Sequence, residues 1–265
     1  MDREQQTVAM WTRGDYRIVG DWFTHASIRA LDHLDLEPGV QLLDVACGTG
    51  AVAIAAAQRG ARVTGVDLTP SMLEEAKRRA ATAGVEVNWV RGSFEELEPL
   101  GAFGAVTSAF GVMFARDPQA VARELVSVCA PNGRISVVAW HEDGAFGSGS
   151  KLLAPWLTQL PKGPDTARWA HEESVREFFA GLPVQLIHSA RHDLTLPFAS
   201  LDTAFAELEE YSGPWNAILE YFKAMGTYDD AKGAVLDHLS AHASERDDGV
   251  KLRASYVVTT LQREP

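Results

Sequence analysis

The chain has 265 residues with 24 basic and 36 acidic side chains, a net charge of −12. That length suits one large α/β domain, or a core with an elaborated cap, able to bury most of its apolar surface. The acidic balance, with no clustered run of Lys and Arg, argues against a nucleic-acid partner. Met1-Asp2-Arg3-Glu4-Gln5-Gln6 lacks the apolar core of a signal peptide and no segment reaches spanning length, so a cytoplasmic protein without a membrane partner is expected. Two cysteines, one in a turn of small residues and one expected in a helix, fit a reducing compartment without a disulfide framework.

In chain order, Met10, Trp11, Tyr16, Trp22 and Phe23 precede a first strand from Val40 to Ala46. An alanine-rich helix, Ala51 to Arg59, stops at Gly60, and Arg62 to Asp67 is a second strand. Thr69-Pro70 places a proline in the first turn of a helix that Gly84 ends; Glu74 with Arg78 and Glu75 with Arg79 stand at pairing distance on it. Val85 to Val90 and Phe103 to Ala109 are the third and fourth strands, Asp117-Pro118 caps a helix to Ala130, and Ile135 to Trp140 is the fifth strand. Such alternation predicts a doubly wound, mostly parallel sheet with helices on both faces and a ligand outside the carboxyl ends of the strands. Gly144 to Pro164 is rich in Gly and Pro and reads as a rim; Glu172 to Ala180 reads as a helix, and Pro183 to Leu196 and Lys251 to Leu261 as strands.

The chemistry concentrates at the first two strand ends. Leu42-Leu43-Asp44-Val45 runs into Ala46-Cys47-Gly48-Thr49-Gly50, small residues that let a ligand touch the backbone, and Val63-Thr64-Gly65-Val66 ends on Asp67, which can accept hydrogen bonds from both hydroxyls of a ribose. The spacing is D-x-A-x-G-x-G, not the G-x-G-x-x-G of a dinucleotide site. Asp44 adds negative charge to the cavity, opposing a phosphate and favouring a ligand with an ammonium and a sulfonium, which describes S-adenosylmethionine better than NAD.

At these residues the chain resembles the class I S-adenosylmethionine-dependent methyltransferases, in particular the small-molecule branch that methylates quinones and polyketides. The likeness extends through Gly65-Val66-Asp67-Leu68-Thr69-Pro70-Ser71-Met72-Leu73, the fourth-strand segment Ala105 to Phe114, and Pro131-Asn132-Gly133-Arg134 before the fifth strand, and covers Trp11 to Trp140. It implies a Rossmann-like, seven-stranded sheet with an antiparallel edge pair and helices inserted near the C-terminus. The single domain then divides into an N-terminal helical flap (1–39), a cofactor-binding core (40–140), a rim and edge strand (141–200), a helical cap (201–250) and a final strand (251–265). The resemblance also implies that Tyr16 covers the methionine end of the cofactor. Contacts with the cofactor then come from Asp44, Ala46, Cys47, Gly48, Asp67, Leu68 and Met72, from Gly92, Ser93 and Phe94 after the third strand, and from Ala109, Phe110 and Met113 after the fourth. Two departures stand out. Gly92-Ser93-Phe94 lacks the acid that contacts the adenine amino group in relatives, leaving a serine hydroxyl to substitute, and Phe103-Gly104 replaces the usual Phe-Asp.

In the insert, Trp215, Ile218, Phe222 and Met225 repeat at helical spacing, with Phe205, Leu208 and Tyr221 nearby, which reads first as core and second as a lid shaping an acceptor pocket. His238 and His242 stand four apart with no visible third ligand, and His188 and His192 on a strand would lie ~13 Å apart, so no metal is expected. His141 follows the fifth strand, where substrates bind, and is the candidate catalytic residue that accepts a proton from an acceptor hydroxyl; His25 is a weaker one. The expected reaction moves a methyl group to oxygen, nitrogen or carbon of a small organic acceptor such as a secondary metabolite or quinone-like compound. Alignment and desolvation are the protein's contribution. A protein that keeps the cofactor for cyclisation or binding, and an NAD-dependent oxidoreductase, are the alternatives. A homodimer is compatible with the sequence.

Overall fold

Apolar runs too short for helices and bounded by glycines become the strands, and the alanine-rich and amphipathic stretches between them cover both faces of the sheet. The computed structural model describes residues 3–160 and 163–265; Met1 and Asp2 of the opening segment, and Pro161 and Lys162 of the predicted rim, lie outside the described residues. Two helices, α1 (Arg3–Thr12) and α2 (Tyr16–Ile28), precede β1 (Gln41–Val45), α3 (Ala51–Gln58), β2 (Arg62–Asp67), α4 (Pro70–Ala83) and β3 (Asn88–Arg91). Then come β4 (Phe103–Ala109), α5 (Pro118–Val128), β5 (Cys129–Trp140), the short α6 (Gly149–Leu152), α7 (Glu172–Phe178) and β6 (Val184–Phe198). The chain closes with α8 (Leu201–Tyr211), α9 (Gly213–Met225), α10 (Tyr228–Ala241), β7 (Ala243–Arg246) and β8 (Gly249–Arg263).

The sheet runs β3-β2-β1-β4-β5-β8-β6, with β7 paired to β8. The pairs among β1 to β5 are parallel and those of β8 with β5, β6 and β7 are antiparallel. The path reverses between β1 and β4, the switch point at which open α/β sheets bind ligands. Register sets Asp44 beside Thr107 there.

Among the described residues the sheet has eight strands, not the expected seven. Residues 250–252 of β8 pair with β6 and β7 at once, so β7 lies along the edge that β5 occupies further on. The predicted cap over 201–250 is therefore helical only to Ala241, and it holds three helices. Three smaller readings also change. Cys129 opens β5 and is not helical, because α5 ends at Val128 and the chain enters the sheet at once; Phe103 pairs with Cys129 before the register shifts at Ala105. Asn132, at a φ of +62°, keeps the predicted turn inside that strand. Glu75, not Glu74, takes both arginines of α4, Arg78 at 2.6 Å and Arg79 at 2.8 Å.

Two apolar clusters divide the interior. The larger joins the sheet to α3 and α5 through Leu42, Leu43, Val45, Val106, Leu125, Ile135 and Val138. The second holds the cap together around Phe205, Leu208, Leu219, Phe222, Val235 and Leu239, and reaches Leu196, Phe198 and Leu252, where β6 and β8 project past the parallel strands.

Candidate active site

Because β1 to β5 are parallel, their carboxyl ends share one edge of the sheet, and nearly all the predicted residues meet there. Ala46, Cys47 and Gly48 follow β1; Asp67 ends β2, with Leu68 next; Gly92, Ser93 and Phe94 follow β3; Ala109 ends β4 before Phe110; His141 follows β5. Met72 comes from the first turn of α4, and a Cβ on Gly48 would sit 3.7 Å from its sulfur. Met113 is placed otherwise: it is 2% exposed and its side chain belongs to the core behind the loop.

The backbone is contorted where the chain leaves β1 and β4. Ala46 has a φ of +53° and Phe110 one of +57°, conformations that cost a residue with a Cβ about 1–2 kcal/mol. Strain of this kind gathers at functional sites. Gly111 is required beside them, since a Cβ there would fall 2.5 Å from the Cβ of Ala46. The turn lays the ring of Phe110 on Trp140, with centroids 3.9 Å apart and planes within 19°. Phe23 and Phe146 pack edge-on to Trp140 or tilted against it.

Asp44 and Asp67 are buried, at 1% and 8% exposure, and neither forms an ion pair among the described residues. Asp44 accepts from Ala53 N–H at 3.0 Å and from the Thr107 hydroxyl at 2.9 Å. It thereby occupies the N-terminus of α3, the place a pyrophosphate takes in a dinucleotide fold. Burial pushes its pKa up to about 7, against the pull of those two bonds, with the Asp67 charge raising it further. Asp67 accepts from Gly48 N–H at 2.9 Å and Thr69 N–H at 2.8 Å, and burial raises its pKa too. The Thr69 hydroxyl and the Leu68 N–H also bear on Asp67, lowering its pKa against burial. Burial, with both acids nearby, also holds the Cys47 thiol well above its usual range, so it is no nucleophile. The fit to S-adenosylmethionine is good: a cradle of small residues and two buried acids that no protein cation pairs with among the described residues.

The N-terminal helices close this edge. A Cβ on Gly20 would come 2.8 Å from the Thr49 hydroxyl, so α2 rests against the loop after β1. Arg79 ties α4 to α2 through Asp21 at 2.5 Å and the Arg17 carbonyl at 2.9 Å. The Tyr16 hydroxyl accepts from Gly213 N–H at 3.2 Å, joining flap to cap, and burial raises its pKa so that it stays neutral. Ser93, the proposed stand-in for the missing acid, is half-buried and accepts from Glu95 N–H at 3.1 Å.

At the end of β5, His141 Nδ1 accepts from Asp143 N–H at 3.1 Å, and partial burial lowers its pKa, keeping the ring neutral. Glu142 lies beside it and reaches His171 Nε2 at 2.7 Å. Sequence spacing did not connect Glu142 and His171 to this edge: they are 29 residues apart, joined only by the path of the rim segment. His25 is exposed on α2, while the rings of His238 and His242 are 4.7 Å apart at the end of α10. Of the predicted cap residues, Phe222, Phe205 and Leu208 are core; Trp215, Ile218 and Tyr221 pack partly buried against it; Met225 is 44% exposed.

Residues 42–133 match the family described as "Methyltransferase domain". An uncharacterised protein of Mycobacterium tuberculosis is 36% identical over 209 residues, 77% of this chain and 76% of the relative. The demethylmenaquinone methyltransferase of Thermus thermophilus is 40% identical over 159 residues, 57% of this chain and 72% of that enzyme. Among solved structures, a geranyl diphosphate methyltransferase in complex with SAM superposes with a TM-score of 0.55 at 18% identity, covering 91% of this chain and 85% of that one. The chain belongs to the class I S-adenosylmethionine-dependent methyltransferases.

Proposed function

We propose that the protein methylates a small, largely planar organic acceptor of the quinone or secondary-metabolite type, at oxygen, nitrogen or carbon. One observation carries the reading of the cofactor site: Asp44 and Asp67 are both buried and close enough for the charge of one to raise the pKa of the other, and neither is paired with a protein cation among the described residues. A ligand bearing an ammonium and a sulfonium complements that field, and a pyrophosphate opposes it. The acceptor class rests on the apolar, aromatic surroundings of the β4 and β5 ends, with Phe23, Phe110, Trp140 and Phe146 in mutual contact. It is supported by the quinone-pathway relative.

In this reading Asp67 takes the ribose hydroxyls. Leu68, Met72, Gly92, Ser93 and Phe94 flank the adenine. Asp44, with the backbone of Ala46, Cys47 and Gly48, faces the amino-acid portion, which Tyr16 covers. Ala109 and Phe110 border the reacting end, and Met113 supports their loop from behind. The cofactor supplies an electrophilic methyl group on a good leaving group. The residues supply alignment and the exclusion of water, effects that can lower a barrier by about 7–11 kcal/mol. His141 meets the acceptor's nucleophilic atom; its Nδ1 takes a hydroxyl proton by giving up the bond from Asp143. Two buried, unpaired cysteines suit a cytoplasmic location.

Calorimetric titration with S-adenosylmethionine and with NAD tests the cofactor assignment, and preferential binding of NAD would overturn it. Incubation of quinone and polyphenol acceptors with methyl-labelled cofactor tests the reaction: label is expected in the product, and an acceptor converted without gaining label would refute methyl transfer.

A further inference from the structure

At the carboxyl end of β5, one potential ligand atom from each of His141, Glu142 and His171 lies within 4.8 Å of the other two. His171 Nε2 is 2.7 Å from Glu142 Oε2, and His141 Nδ1 is 4.0 Å from the same oxygen. Since Nδ1 accepts the Asp143 N–H, it carries a lone pair, and so an unprotonated nitrogen stands near a carboxylate oxygen with one amide hydrogen as its donor. A cation placed among the three atoms would take the Nδ1 lone pair in place of the Asp143 N–H, and the His171 and Glu142 atoms in place of the hydrogen bond between them. We propose that His141, Glu142 and His171 bind a divalent first-row transition ion, zinc in the first instance.

The donor set decides the ion. Two imidazoles and one carboxylate make the ligand set of several catalytic zinc sites, which keep further positions open. Imidazole nitrogen favours zinc and its neighbours over magnesium or calcium. Ligand atoms about 2.1 Å from one zinc ion stand roughly 3.4 Å from each other in tetrahedral geometry, so the three side chains need shift by only about an ångström. Their backbones are fixed. His141 N–H donates to the Ser255 carbonyl at 2.9 Å, and the Ser148 hydroxyl to the Glu142 carbonyl at 2.8 Å. His171 N–H is held by the Arg168 carbonyl at 3.2 Å, and its own carbonyl accepts from Val175 N–H at 2.9 Å. Gly147 makes the loop possible, because a Cβ there would lie 2.1 Å from the His141 carbonyl oxygen. Asp143 is not a fourth ligand: its carboxylate is taken by Arg191 and Arg253. All three ligand residues are half-buried, which leaves the ion a way in.

With the ion bound, His141 acts as a ligand in place of the proton acceptor it is in the metal-free site, and this part rests on the proposed methyl transfer. With His141 engaged as a ligand, an acceptor hydroxyl at an open position sheds its proton to solvent more readily. Its oxygen then bonds to the methyl carbon as the sulfur departs with the electrons of the carbon–sulfur bond. Binding of the ion itself does not depend on that reading.

The test uses the full chain stripped of metal with a chelator and titrated with Zn2+ by calorimetry and with Co2+ by visible absorption. One equivalent of zinc is expected, with a dissociation constant of about 1 μM or tighter, together with a saturable cobalt spectrum that zinc displaces. Glu142→Gln and His171→Ala should each weaken binding about a hundredfold, with His171→Gln as a second, milder variant should the alanine change unfold the protein. His238→Ala should change nothing. No saturable binding, binding that survives loss of His171, or binding lost in His238→Ala would overturn the proposal. Titration of the same samples with S-adenosylmethionine separates the two readings: metal binding can fail while the cofactor binds, and the reverse.

Discussion

In the proposed reading Asp44 combines two roles that ordinary substitutions would confuse. Its carboxyl braces the first loop by accepting from Ala53 and Thr107, and in that reading its ionised form, beside Asp67, faces the cationic cofactor. Asp44→Asn separates the roles, since the Thr107 hydroxyl can accept from an amide as well as donate to a carboxylate. The melting temperature should stay near that of the parent while affinity for S-adenosylmethionine falls about tenfold or more, whereas Asp44→Ala leaves buried partners unsatisfied and should cost about 1–3 kcal/mol of stability. The pH dependence has a definite sign. With a folded pKa of about 7, above that of the unfolded chain, Asp44 holds a proton in the empty protein, and its contribution to stability is lost as pH rises from the acid range toward about 7. Cofactor binding favours the ionised form, so affinity should weaken by up to about tenfold per pH unit below about 7 and flatten in Asp44→Asn. A parent protein whose cofactor affinity does not change between about pH 5.5 and 8 would refute this account.

Among the elements, the cap is where packing and site part company. Phe222 and Leu219 are fully buried on α9, and Phe222→Ala should cost about 3–5 kcal/mol in chemical denaturation. Trp215 on the same helix is only partly buried and lies near Gly149 of α6, whose Cβ would come 3.7 Å from the indole. Trp215→Ala should therefore leave the fold largely intact and raise the KM for acceptor; an unchanged KM would remove α9 from the acceptor site. The 3.6-residue spacing of Trp215, Ile218, Phe222 and Met225 was readable in the sequence, but periodicity reports only that one face is apolar. The inward turn of Phe222 and the exposure of Met225 depend on α8 and α10, which the spacing does not specify. The strands β1, β2 and β4 were legible because each is a short apolar run ended by glycine, an acid or a contorted turn. β7 was not: Ala-Ser-Glu-Arg carries no alternation and gains its structure from the edge of β8, with the Asp247-Asp248 turn before Gly249 as its one local sign. The same limit hid His171, whose partner Glu142 is reached only through the fold.

At the scale of the whole molecule, the N-terminal helices are tied to the C-terminal ones. Asp15 N–H donates to the Tyr211 carbonyl at 2.9 Å, Gly213 N–H to the Tyr16 hydroxyl at 3.2 Å, and Arg79 fastens the other side of α2 to α4. In the proposed reading, a cofactor lying against the loops after β1 and β2 is covered by a segment whose position depends on a contact with the C-terminal helices. Gly213 is the point at which that dependence can be tested, because a Cβ there would fall 2.3 Å from the Met10 carbonyl oxygen at the end of α1. Gly213→Ala must push α1 and α9 apart, an overpacking that should cost about 1–3 kcal/mol. Gly233→Ala is the control: it lies inside α10 with open space around it, and the change should stabilise the helix by about 0.5–1 kcal/mol. The Gly213 variant should show faster proteolysis within the first 28 residues and weaker binding of S-adenosylmethionine, with saturating cofactor restoring part of the protection, since ligand that binds the closed form draws the flap back. Parent-like cleavage and affinity in Gly213→Ala would mean that flap and cap act independently, and that the cofactor site is closed by α2 and α4 without help from the C-terminal helices.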